Sequence, residues 1–317
     1  MRPPILSRAE LENISTRAVT LDTMAVGGSN IDVLTVSSLP SLVQVFGYLK
    51  YKYSDGAVLL RGQTRLHESL DPSLYRPPRQ NHVVKNRSKR DELILQFIAE
   101  TSPWTCKHVR HRPIHCPEKL SQPKRSELAF VSAGTPRYAV EPLLQHYGIR
   151  TRWLDVVDNL WTALWFACHT FETVGSFGHV VRRVPEDASK EAGYTYLVVL
   201  VVPGQLREIL PGLHMSDGVA RVIDLRKAVP SFYLRPHAQH GWLLRPAADD
   251  LHHLKSVVVR VPLQSALEWL GQSLLLSPFG LFPPPTVDLG YAKLLRASAA
   301  LGVPELLGSI VSYGPGY

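Results

Sequence analysis

The chain has 317 residues, 45% of them apolar, enough to bury a large core and too many for a disordered chain. Its longest unbroken apolar run, Tyr196 to Val202, falls far short of the roughly 18 residues of a membrane span, and its three cysteines offer no disulfide framework. With a net charge of +8, the composition argues for an anionic partner, no membrane, free thiols and a cytoplasmic location.

The first 37 residues are mixed and polar and lack an apolar signal region, so they read as an N-terminal extension (1–37). Ser38 and Pro40 then open a helix with Leu42, Val45, Phe46 and Leu49 at helical spacing. Asp55-Gly56 turns into the apolar run Ala57 to Leu60, a buried strand that ends at Arg61. Leu93, Ile94, Phe97 and Ile98 suggest a second helix, followed by a Pro- and His-rich insertion over 104–137. Basic residues concentrate between Arg76 and Arg125, which suits nucleic acid, nucleotide phosphate or an acidic protein, and equally suits a solvated loop. Cys106, His108, His111, His115 and Cys116 follow no zinc-site spacing, and no metal is expected.

Pro142 near a helix start and Gly148 after its end frame a short helix before Thr151-Arg152. Asp158 or Asn159 caps the next, whose buried stripe is Leu160, Ala163, Leu164, Ala167, Cys168 and Phe171. Strands are expected at 178–184, 194–202, 232–234, 242–244 and 256–261, with helices near 263–270 and 289–299. Helices first and strands later predict an α+β domain over 38–300, a mixed or antiparallel sheet flanked by helices, with a tail at 301–317.

Three places concentrate chemistry. Arg61, emerging from an apolar strand, needs an anion or a carboxylate such as Asp155 or Asp71 nearby. Gly62 beside it permits close approach of a ligand or of backbone. The stretch Gln145-His146-Tyr147-Gly148-Ile149-Arg150-Thr151-Arg152-Trp153-Leu154-Asp155 gathers an imidazole, a phenol, guanidiniums and a carboxylate at a helix end, although Thr151 and Asp155 also suit caps and His146 a core position. The third is Arg235-Pro236-His237-Ala238-Gln239-His240-Gly241. A Walker loop, a G-x-G-x-x-G fingerprint and a nucleophile elbow are absent from the sequence, which removes support for kinase, Rossmann and α/β-hydrolase readings.

Arg61-Gly62-Gln63, Pro72-Ser73-Leu74-Tyr75-Arg76 and the run Gln145 to Asp155 resemble the FRG-domain family, with Leu60 in place of the eponymous Phe. Arg235 to Gly241 and Leu281-Phe282-Pro283 are similar to its later segments. A more distant likeness is to ADP-ribosyltransferases, in which a strand ends in Arg-Gly and a strand-borne Arg-x-x-Ala-Glu carries the catalytic glutamate; here Gln239 stands in its place. The resemblance implies an ADP-ribosyltransferase-like fold with NAD as substrate. Arg61, Gly62, Gln63, Tyr147, Thr151 and Arg152 would contact the dinucleotide, Tyr147 or Trp153 stacking on the nicotinamide. Arg61, His146, Asp155 and Gln239 would form the catalytic set, with Asp155 meeting ribose charge and His146 serving as base. Transfer to an anionic target such as nucleic acid, in a toxin or antiviral-defence role with a neutralising antitoxin, is the implied function. The alternatives are a nucleic-acid or nucleotide hydrolase and a binding module without turnover.

Overall fold

A computed structural model describes residues 9–10, 18–67, 70–73, 135–174, 177–185, 191–216, 219–246, 254–301 and 312–313. The helix expected around 93–98, the five cysteine and histidine candidates and nearly all of the 104–137 insertion lie outside them.

Strands β1 (Val19–Val26) and β2 (Ser29–Val36) pair antiparallel, with Val33 and Val36 buried. The segment read as an extension thus contributes the edge hairpin of the main sheet, because its apolar residues have a sheet face to cover. Helix α1 (Leu39–Lys52) starts where the Ser38 side chain accepts a bond from the Ser41 amide, and it buries Leu42, Val45 and Leu49. After it come β3 (Ala57–Gln63), α2 (Arg137–His146), β4 (Leu154–Val157) and α3 (Leu160–Ala167). The α2 helix begins upstream of the expected start and holds Pro142 inside it. Asn159, not Asp158, caps α3 by accepting from the Thr162 amide.

Phe171, expected on the α3 stripe, sits instead on β5 (His169–Val174), where β-branched Thr170, Thr173 and Val174 favour pairing with β6 (Phe177–Arg182). The chain continues through β7 (Tyr194–Val202), β8 (Arg207–Leu210), β9 (Leu213–Ser216), β10 (Ala220–Asp224), α4 (Leu225–Ala228) and α5 (Leu234–Ala238). No strand forms at 232–234: Pro230 precedes a turn, and Pro236, lacking an N–H, suits the first turn of α5 and not a ladder. The remaining elements are β11 (Gly241–Pro246), β12 (Lys255–Pro262), α6 (Leu263–Leu270), α7 (Pro278–Leu281), α8 (Leu289–Leu301) and β13 (Ser312–Tyr313).

Ten strands form one mixed sheet in the order β1-β2-β12-β7-β3-β4-β11-β10-β9-β8; β2 and β12 run parallel and the other neighbours antiparallel. A separate three-stranded sheet has the order β13-β6-β5. One face of the large sheet, carrying Val58, Leu60, Val157 and Val199, packs against α1, α3 and α6. Leu243 and Ile223 carry that face on to α2, α4 and α8. Leu59, Leu154, Val156, Leu200 and Leu244 form a second core on the other face. The architecture is therefore a large mixed sheet flanked by helices, as composition and periodicity anticipated. Among the described residues, no helix is long and apolar enough to cross a membrane.

Candidate active site

The site grows from the end of α2. Gly148 adopts φ 107°, its amide bonds the Gln145 carbonyl at 3.0 Å and the Ile149 amide bonds the Leu144 carbonyl at 3.1 Å, the paired closure of a helix C-terminus. The chain then turns back through Thr151, whose hydroxyl bonds the Gln145 side chain and accepts the Trp153 amide at 3.1 Å. Ser73 takes the Thr151 amide at 3.0 Å. Gln145, Thr151 and Trp153 are buried, so this half of the motif is framework that delivers β4 into the sheet.

On β4, Asp155 stands opposite Leu243 with its side chain 46% exposed. His146 lies behind it, its side chain 5% exposed, with Nε2 4.0 Å from Asp155 Oδ1. That gap is too long for a direct hydrogen bond. Both ring nitrogens of His146 are buried with no hydrogen-bond partner among the described residues. Burial, helped by the Arg235 charge, pushes the imidazole below its ordinary pKa, while Asp155 and Gln239 pull it back up. His146 is therefore neutral at pH 7. Gly241 presses on the ring: a Cβ there would sit 2.5 Å from His146 Cε1.

The other expected residues separate into those near this pair and those in the frame. Arg61 donates through Nη1 to the Asp155 carbonyl at 2.7 Å. Alternation along β3 and β4 sends the Arg61 side chain to the face of Leu59 and Val156, and the Asp155 carboxylate to the opposite face with Val157. Arg61 thus holds the Asp155 backbone from the far side, without an ion pair to that carboxylate. Gly62 admits α3, not a ligand: a Cβ would lie 1.9 Å from the Ala163 carbonyl oxygen. Gln63 is buried on β3. The Arg152 amide contacts Glu141 at 3.4 Å.

Tyr147 is fully buried and donates to Asp288 at 2.7 Å, with burial and that carboxylate holding its phenol well above the ordinary range. It cannot stack on a nicotinamide, and Trp153 is buried as well. Gln239 is buried and donates to the Leu281 carbonyl at 2.8 Å, joining the α5 end to the Leu281-Phe282 segment. The run containing Arg235 is a helix, not the strand that the transferase likeness requires. Of the expected nucleotide contacts, Gly62, Tyr147 and Thr151 do not fit the role, because α3, Asp288 and Gln145 already occupy them.

Sequence reasoning missed two features. Arg235, with no exposed surface, donates to the His146 carbonyl at 2.9 Å inside a cage of Tyr147, Tyr291 and Phe282. Arg226 bridges Asp224 and Asp158. The only sequence signal for the latter was an aspartate before a short apolar-basic run, and Asp224 does cap α4 by accepting the Arg226 amide. No group of three or more metal-ligating side chains occurs among the described residues.

No curated protein and no solved structure matches the chain. The family model of the FRG domain does match, over residues 56–174, a span that holds Arg61, His146 and Asp155, so this stretch of the chain is similar to the FRG domain.

Proposed function

We propose that the FRG domain breaks the N-glycosidic bond of a nucleotide, with NAD as the donor and an anionic acceptor such as nucleic acid as the target. The observation that carries this reading is the half-exposed Asp155 carboxylate backed by the neutral, buried His146 at 4.0 Å. When the bond between ribose C1′ and the nicotinamide nitrogen breaks, its electron pair leaves with nicotinamide and positive charge develops on the ribose. A fixed carboxylate stabilises that charge. The order of exposure supports a division of roles. Asp155 meets substrate, and His146 stands behind it as the group that takes up the proton released when the acceptor's oxygen or nitrogen bonds C1′. Arg61 is a positioning residue that fixes the Asp155 main chain. Gln239, occupied by Leu281, is also a positioning residue. The net charge of +8 supports attraction of the pyrophosphate and of a polyanionic acceptor.

The test is nicotinamide release from NAD by the full chain, with and without total nucleic acid. Asp155→Asn is expected to lower the rate by about 10²–10³-fold, and Arg61→Ala to lower it less. Release that survives Asp155→Asn removes the carboxylate from the mechanism. Nucleic-acid cleavage that depends on Asp155, without nicotinamide release, moves the same pair to a hydrolase, and salt-sensitive binding alone leaves a binding module.

A further inference from the structure

The turn between α5 and β11 carries a second polar centre. His240 adopts φ 51°, just past the helix end, where glycine is the ordinary choice. Glycine stands one position later and serves another purpose there, pressing on His146. A histidine held in the left-handed region points to a use for its side chain.

Arg226 fixes that side chain. Its Nε and Nη2 donate to Asp224 at 2.9 and 3.0 Å, its Nη1 and Nη2 to Asp158 at 3.3 and 2.8 Å, and Nη1 stands 3.0 Å from His240 Nδ1. A guanidinium only donates, so Nδ1 accepts, which leaves Nε2 as the donor of the ring. The side chain is 41% exposed. Two carboxylates, Asp158 and Asp224, balance Arg226 and the Lys50 ammonium that bonds the Asp158 carbonyl. The cluster is therefore neutral and holds no surplus charge for an anion.

We infer that His240 is a ligand-binding residue whose Nε2–H donates to an uncharged acceptor, a carbonyl, ring nitrogen or hydroxyl, on the nucleoside part of the ligand. This rests on the reading of the ligand as a nucleotide. It does not require turnover. Gln239 and Gly241, on either side of His240, both border His146, so the contact would place a nucleoside beside the Asp155 site.

Imidazole NMR of the full chain tests the assignment, with the His240 signals identified from His240→Gln. The free protein is expected to show His240 as the Nε2–H tautomer, and Arg226→Met to lose that preference. Adenosine and nicotinamide riboside are expected to shift the Nε2–H resonance, and inorganic phosphate to leave it in place. His240→Gly should weaken ADP-ribose binding at least about fivefold while Tm holds or rises, since glycine relieves the positive φ. A shift with phosphate alone, no shift with any probe, or unchanged ADP-ribose binding in His240→Gly each overturns the inference. Failed nicotinamide release beside an intact nucleoside shift would reject the glycosidic reading and leave this one standing.

Discussion

Two arginines on successive short helices solve the same problem in opposite ways. Arg226 on α4, its side chain 26% exposed, spreads its fork over two carboxylates, and its hydrogen bonds to Asp224 and Asp158 hold its pKa above the usual arginine value. Arg235 on α5 has no exposed surface, and three aromatic rings surround it, with Tyr291 at 4.5 Å, Tyr147 at 4.6 Å and Phe282 at 5.3 Å. Near the surface, where water still screens, ion pairing suits a guanidinium; in the core, ring faces and the His146 carbonyl surround it, and the buried Asp288 carboxylate accepts the Arg235 main-chain amide at 3.2 Å. Each arginine also holds one side of the turn around His146. Arg235 holds the His146 carbonyl, and Arg226 holds His240.

The cage supplies the largest expected effect. Arg235→Ala removes a buried side chain, empties the space between three rings and frees the His146 carbonyl, and should cost about 3–5 kcal/mol in urea unfolding. Arg235→Met keeps the packed stem and should cost clearly less, because a cage of aromatic faces accepts an apolar group. Equal losses in the two variants would show that the charge, and not the volume, holds the cage together.

The contrast also explains what could be read in the sequence. The run from Gln145 to Asp155 was legible as a site because its density of polar types is unusual for a turn. Which of those residues face solvent was not legible: Tyr147 is buried by Asp288, Tyr233 and Tyr291, more than eighty positions away. The strand Tyr194–Val202 was readable to the residue, because Tyr196 to Val202 is an unbroken apolar run, buried on both faces. Arg207–Leu210 was not, since it is a short, fully exposed edge strand with no alternation to see. Gly62 shows the same limit: a close approach was expected, but only the structure identifies the α3 backbone as the partner.

Acid should expose the framework next. Burial lowers the pKa of His146 below 6.5, and it does the same for His169, His214 and His237. In the unfolded chain these imidazoles take up protons near pH 6.5, while the folded protein resists until its lower values are reached. Their contribution to stability is complete above about pH 6.5 and is lost as pH falls from there through the folded pKa values. Each extra proton bound by the unfolded chain steepens the loss by about 1.4 kcal/mol per pH unit. Unfolding free energies measured from pH 7.5 down to 5 should decline, and His169→Gln should flatten part of the slope. A curve level across that range would mean the buried imidazoles titrate normally.

The smallest effect separates the two arginines most cleanly. Arg226→Ala leaves a buried Asp224 and a partly exposed Asp158 without the cation between them. The direct loss of the partly exposed Arg226–Asp158 pair is about 1 kcal/mol, and salt reduces it, because mobile cations screen the Asp158 carboxylate once the guanidinium is gone. Arg235→Ala should show no comparable salt dependence, since its cost is a cavity and an unmet carbonyl in the core. Unfolding in 0.05 and 1 M NaCl reads the difference directly. A salt-insensitive loss at Arg226 would place that arginine in the rigid frame alongside Arg235, and the turn at His240 would then be held by packing and not by charge.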